Sequence, residues 1–305
     1  MPDWATFAGL TGVVLVLLLA LSHLTSTAFT DSDDADTRTP SDESPTPTRE
    51  STAESTASDP DALADGFADG SADGESLRES RRVPEDDHGH GHGHDHDEHS
   101  SPGSLSTGEL LANVAFSQGL FATILLAAAV YTEIPPADLG IAFTRAYLTT
   151  GVVVGTALGV GLYIANELGA ASAKRLGIDH SEQLRELLAP DSPGGWAALL
   201  GVALPTVAIF EEFLFRAALI GALSAGFDVS PWLLAIVSSV AFALGHGMQG
   251  PAGIAVTGLL GFVLAIAFVV TGSVLVVIVA HYLVNALEFV VHEGLGLEWT
   301  ETTGS

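Results

Sequence analysis

Six polar residues in the C-terminal half of this chain stand where a membrane would make polarity expensive. Glu211 and Glu212 open Glu211-Glu212-Phe-Leu-Phe-Arg216, His246 closes Phe242-Ala-Leu-Gly-His246, and His281-Tyr-Leu-Val-Asn285 supplies the last pair. An ionisable group at bilayer depth costs at least roughly 2.5–3.5 kcal/mol on insertion scales, so a partner or a function keeps it there. On a helix Glu212 and Arg216 are four apart, the spacing at which a Glu preceding an Arg pairs with it. Glu211 is turned about 100° from Glu212 and is free to face elsewhere. Two readings follow. In one, Glu212 and Arg216 form a buried bridge that locks helices together and Glu211 is simply solvated. In the other, Arg216 holds Glu212 while Glu211 sits in a low-dielectric cavity as a general base. His246, with Phe242 one turn before it, reads by itself as an interhelical hydrogen bond. His281 and Asn285 project from one helix face. They could stitch helices together, as polar residues in membrane bundles do. They could also meet an oxyanion, where loss of one donor costs about 2.7–4 kcal/mol of transition-state stabilisation. Glu288 and His292 continue that stripe and read as interfacial.

The elements that must position these residues are long apolar runs. Hydrophobic stretches predict helices over 106–131, 145–167, 196–225, 230–248, 252–271 and 273–293, several near the ~20 residues that cross a bilayer. Ser230-Pro231 predicts a helix start with Ser at the cap and Pro in the first turn, and Gly250-Pro251 separates two helices. Residues 4–29 form one more apolar segment. It lacks a basic leader and is long for a signal peptide, so it predicts a retained anchor helix. The fold class expected is all-α, a polytopic membrane helix bundle of about six core helices plus the anchor. The domains expected are the anchor (1–29), a linker (30–104), a membrane domain (105–294) and a short polar tail (295–305). Lys174, Arg175 and Arg185 make the 168–194 loop the cytoplasmic one. Counting back two crossings puts the linker in the cytoplasm and the N-terminus outside, in a multi-pass protein of the cell membrane.

The net charge of −27 beside 48% hydrophobic residues is explained by this division. Residues 31–98 hold 21 of the 37 acidic residues against five arginines. Few apolar residues interrupt that stretch, so it cannot offset its conformational entropy and is expected to be disordered. Ala64-Asp-Gly, Ala68-Asp-Gly and Ala72-Asp-Gly repeat within it but lack the alternating ligands and terminal Glu of a calcium loop. The acidic excess, with Lys174 the sole lysine, resembles proteins of salt-loving cells and excludes the basic footprint of nucleic-acid binding. No cysteine is present, which removes disulfides and thiolate chemistry. His88, His90, His92, His94, His96 and His99, interleaved with Asp and Glu, could bind Zn²⁺, Ni²⁺ or Cu²⁺ weakly, or be a solvated tract without a role. They raise a rival reading, a metal-cation transporter or metal-responsive membrane protein. Paired ligands in repeated, broken helices would be expected of a transporter; the charged residues instead concentrate in one constellation.

Taken in order, Glu-Glu-x-x-x-Arg, Phe-x-x-x-His and His-x-x-x-Asn resemble the motifs of the CPBP family. These are CAAX prenyl proteases of the second type and bacteriocin-processing enzymes, also called Abi. The resemblance covers roughly residues 110–293. It implies that Glu211 and His246 activate a water, that His281 and Asn285 form an oxyanion hole, and that Glu212 and Arg216 are structural or position substrate. The implied activity is peptide hydrolysis within the bilayer, on a membrane-embedded peptide or protein, prenylated or not. Members of the family are often labelled metalloproteases. Zinc held by Glu211, His246 and His281 with a water is therefore one option, although His-Glu-x-x-His is missing and the same side chains suffice without a metal.

Overall fold

The computed structural model describes residues 1–36, 106–175 and 183–297, and among them there is no strand. Its elements are α1 (Trp4–Asp36), α2 (Thr107–Tyr131), α3 (Arg145–Arg175), the short α4 (Gln183–Leu188), α5 (Pro193–Phe227), α6 (Pro231–Gly245), α7 (Gly250–Thr271) and α8 (Val274–Gly294). Apart from α4 and the shorter α6, each contains a stretch long and apolar enough to cross a membrane. The protein is a multi-pass membrane protein. Side chains such as Phe116, Val153, Val240 and Leu259 are exposed on the helix flanks. In water such faces would be a liability, whereas against lipid tails they are solvated.

Local chemistry marks the helix ends. Ser106 accepts the amide of Glu109 and the Glu109 carboxylate accepts the amide of Ser106, a reciprocal cap that starts α2. The hydroxyl of Ser192 caps α5 ahead of Pro193, and that of Ser273 caps α8. Pro231 opens α6 as expected, but Ser230 makes no side-chain capping bond. The expected helix 230–248 stops at Gly245: glycines at 245, 247 and 250 followed by Pro251 turn the chain through a short 3₁₀ segment, Gly247–Gln249. In the other direction, α1 continues past residue 29 to Asp36 and α3 past 167 to Arg175. The linker's repeats and the tract His88 to His99 lie outside the described residues, as does the end of the tail.

α1 is more than a lipid-facing anchor. Phe7 and Val14 are buried in the main core with Phe213, Phe215 and Phe242. Trp4 stands where a Cβ on Gly226 would lie, only 2.6 Å from it. At its start, the terminal ammonium reaches Glu133 at 3.0 Å and the amide of Asp3 donates to Thr132. The hydroxyl and amide of Thr6 hold the Asp3 carboxylate below its usual range. Further along, the hydroxyl of Ser22 donates to the carbonyl of Gly245 at 2.7 Å, at the very end of α6. The start of α1 therefore lies beside the end of α2, and the two helices run antiparallel.

α3 and α8 cross in close contact. A Cβ on Gly155 would stand 2.7 Å from both the Val276 carbonyl and Val279 Cβ, and one on Gly159 would stand 2.8 Å from the Ala280 carbonyl. Gly151, Gly155 and Gly159 repeat every four residues, so one face of α3 is bare and the backbones approach closely, as small residues permit in bilayers. The start of α8 is tied down by a 3₁₀ turn, Pro136–Leu139, which ends at Gly140 with φ +70°. The carbonyl of Gly140 accepts both the amide of Val274 and the hydroxyl of Tyr147. This crossing fixes where α8 presents His281 and Asn285. Gly155→Leu is accordingly expected to lower the unfolding free energy by about 1–3 kcal/mol or more. Gly161→Leu, at a position with nothing within 4 Å, should leave it unchanged. Thermal or denaturant unfolding in lipid nanodiscs measures both.

Candidate active site

Glu211 and Glu212 lie where α5 changes character. The helix is α-helical over Leu204–Glu212 and π-helical over Phe213–Ala222, the wider winding often found at functional sites. Arg216 lies within that second segment. Glu212 and Arg216 are both completely buried, and Arg216 Nη1 donates to Glu212 Oε1 at 2.9 Å. The i, i+4 pairing read from the sequence is therefore present. Arg216 Nη2 donates to the carbonyl of Gly261 on α7 at 2.8 Å. Its guanidinium carbon lies 4.7 Å from the centre of the Phe242 ring. Gly261 is needed here: a Cβ would come within 2.8 Å of Phe242.

The same Glu212 Oε1 stands 2.7 Å from Nδ1 of His281. That oxygen already accepts from Arg216, so it accepts here too and Nδ1 carries the proton. Nε2 of the ring points the other way, 3.7 Å from Glu211 Oε2. Glu211 does not join the Glu212–Arg216 pair. Its Oε2, with Glu212 Oε2 and Arg216 Nε, is buried and makes no hydrogen bond within the protein. Buried polar groups are nearly always satisfied, and each exception calls for an explanation such as strain, a bound water or ion, or a catalytic role.

His246 is not held in a helix. It caps α6, its amide donating to the Ala243 carbonyl and its Nδ1 lying 2.8 Å from the Phe242 carbonyl. A carbonyl oxygen only accepts, so Nδ1 is the protonated nitrogen and the neutral ring offers a lone pair at Nε2. The ring rests against Phe242 at 4.6 Å between centres, and Phe242 meets His281 at 6.0 Å and Phe215 at 5.1 Å. Asn285 is half-buried one turn beyond the buried His281. The structure thus gathers Glu211, Glu212, Arg216 and His281 by direct polar contacts and brings in His246 through the shared Phe242. As placed, Glu211, His246 and His281 do not draw three donor atoms within 4.8 Å of one another. They do not fit a metal in this arrangement, and the chemistry is derived from the side chains alone.

Several contributors escaped sequence reading. Phe242 is the hub of the site, although motif spacing shows it only as a neighbour of His246. Gly261 has no signal beyond a glycine in an apolar helix. Ser238 donates to the Phe215 carbonyl at 2.6 Å, bonding α6 to the π-helical turn. Nor do the charged residues form one constellation only. Glu288 and His292 join Glu167 and Arg185 in a second polar group at the far ends of α3 and α8.

Comparison with known proteins agrees with the motifs. Residues 193–287 match the family model described as Rce1-like, type II CAAX prenyl endopeptidase Rce1-like. No curated protein and no solved structure matches the chain. The resemblance carried by the three motifs is borne out: the segment that holds them is similar to the type II CAAX prenyl endopeptidases of that family model.

Removing one member of a buried ion pair leaves the other uncompensated and costs about 3–5 kcal/mol. Arg216→Met should lower stability by that order. Arg216→Lys should fail to restore it, because a single ammonium cannot span Glu212 and the Gly261 carbonyl with a fork's geometry. Unfolding of each variant in nanodiscs is the measurement.

Proposed function

We propose that this protein is an intramembrane endopeptidase that hydrolyses a peptide bond of a membrane-associated substrate with water as nucleophile. The observation that carries the reading is the buried Oε2 of Glu211. It faces Nε2 of His281 without a hydrogen-bond partner in the protein, while Glu212 and Arg216 hold that imidazole from behind. The family match over residues 193–287 supports the same reaction class.

In this reading a water bound between Glu211 and the Nε2 lone pair of His246 loses a proton to the Glu211 carboxylate. The hydroxide oxygen bonds to the scissile carbonyl carbon, and charge develops on the carbonyl oxygen. The Asn285 amide and Nε2–H of His281 donate to that oxygen. Because Nδ1–H of His281 is committed to Glu212, donation from Nε2 requires the imidazolium form of the ring. Collapse of the tetrahedral species breaks the C–N bond, and the proton held by Glu211 passes to the leaving amine. Glu212 and Arg216 are positioning residues: they touch the ring and fix its direction.

An apolar groove of about 440 Å³ between α6 and α7 is lined by Ile236, Val240, Ala243, Ile254 and Phe262. Ala243 is one residue beyond Phe242 on the helix that ends at His246. Such a groove suits the hydrocarbon chain of a lipidated peptide, the substrate class named in the family's description.

The reading is tested by comparing peptide termini in the membrane proteomes of cells expressing wild type or Glu211→Gln at equal levels. New termini present with wild type and missing with the variant are expected. The same cleavages should slow by about 10²–10³ in Asn285→Ala, the loss typical of one oxyanion donor. Identical termini with both proteins folded would overturn the proposal.

A further inference from the structure

The second polar group, at the far ends of α3 and α8, has no part in the proposed hydrolysis. Glu288 and His292 are four apart on α8, and the buried Glu167 approaches them from α3. His292 Nε2 lies 2.7 Å from Glu167 Oε1 and 3.8 Å from Glu288 Oε2. Among the described residues, this is the one set of His and carboxylate donors in which three ligand atoms lie within 4.8 Å of one another.

We propose that Glu167, Glu288 and His292 bind a divalent transition metal of the zinc class. Two carboxylate oxygens and an imidazole nitrogen suit Zn²⁺, Co²⁺ or Mn²⁺, and the nitrogen disfavours Ca²⁺ and Mg²⁺. Ligand bonds of 2.0–2.2 Å in a tetrahedral site place donor atoms about 3.3 Å apart. The 2.7 and 3.8 Å separations at His292 straddle that distance, and all three ligand atoms lie within 4.8 Å of one another, so the donors stand close to the spacing a metal would need. His292 Nε2 would release its proton as the metal replaces the hydrogen bond to Glu167.

The surroundings prepare the ligands. Asn166 donates to Glu288 Oε1, which orients Oε2 towards His292. Such outer hydrogen bonds aim a ligating carboxylate. Arg185 on α4 is held by Glu293 at 2.8 Å and only loosely by Glu288 Oε2 at 3.4 Å. The oxygen needed by a metal is thus the one least committed. Among the described residues, the carboxylates of Glu167, Glu288 and Glu293 gather around the Arg185 guanidinium and the His292 imidazole.

The sequence points independently to the same class of ion. Six histidines interleaved with carboxylates lie between His88 and His99, shortly before α2 begins. The first turns of α2 share a core cluster with Phe289 of α8, at the same end of the bundle as Glu288 and His292. A bound metal would clip the end of α3 to the helix that carries His281 and Asn285.

The test uses the full chain with His88, His90, His92, His94, His96 and His99 replaced by Asn, so that the tract cannot mask the site. After chelation, the protein in nanodiscs is titrated with Co²⁺ and then Zn²⁺. The proposal predicts one Co²⁺ per chain with a visible d–d band, displacement by Zn²⁺, and a melting temperature that rises with Zn²⁺ concentration. His292→Asn or Glu167→Gln in that background should abolish the band and the shift, whereas Glu211→Gln should keep both. Absence of the band and of the shift in the folded tract variant would overturn the proposal, and needs no further variant that could misfold. Loss of both in Glu211→Gln would also overturn it, since the metal would then belong to the hydrolytic site. So would a band that survives in folded His292→Asn. No arm depends on turnover, so the outcome is separate from that of the hydrolase proposal.

Discussion

The bundle is organised around one buried cation. The Arg216 guanidinium is completely shielded from solvent, and bare charge at that depth would be prohibitive without partners. It is met on one side by Glu212 and on another by the Gly261 carbonyl, and it lies near the face of Phe242. Through these contacts α5, α6 and α7 are set at fixed separations. Glu212 then passes the constraint to α8 by taking Nδ1 of His281. A buried ion pair is weak evidence for stability in its own right, because desolvation offsets much of the attraction. Its value here is directional: it decides which nitrogen of His281 is protonated towards the core and which faces Glu211.

Two further constraints hold this arrangement in register. The glycine face of α3 lets α8 approach until backbone meets side chain, so His281 cannot drift from Glu212 without opening the crossing. On the opposite side, α1 inserts Phe7 and Val14 into the core and Ser22 bonds the Gly245 carbonyl, one residue before His246. The N-terminal helix lies outside the segment matched by the family model, yet it supports the turn that presents a residue of the site. At that turn the His246 ring rests on Phe242 and its Nδ1 meets the Phe242 carbonyl.

Much of this was legible beforehand because bilayers impose simple rules. Hydropathy and length located the spans within a few residues, and the i, i+4 spacing of Glu212 and Arg216 foretold their pairing. Gly250-Pro251 marked the boundary after α6 in the sequence, but the expected helix ran past Gly245 and Gly247 to residue 248, whereas the helix stops at Gly245. Harder to see were contacts that join residues distant in sequence and unremarkable in type, such as Gly261 to Arg216 or Ser22 to Gly245. Nothing in local pattern marks a glycine carbonyl as an acceptor. His281 shows the same limit. Its spacing pairs it with Asn285, whereas its nearest polar partners are the two glutamates about seventy residues earlier, a fact of tertiary packing. Glu167 was hidden for a similar reason: it follows the apolar run of α3 and meets Glu288 and His292 only once the helices cross.

The central claim is that Glu212 holds the His281 ring so that Nε2 faces Glu211. Nitrogen NMR of histidine-labelled protein, with the His281 signals assigned from a His281→Gln variant, reads the two ring nitrogens directly. A protonated, strongly hydrogen-bonded Nδ1 that loses this signature in Glu212→Gln is the result expected. An Nδ1 signal that is unprotonated in wild type, or unchanged in Glu212→Gln, would contradict the account.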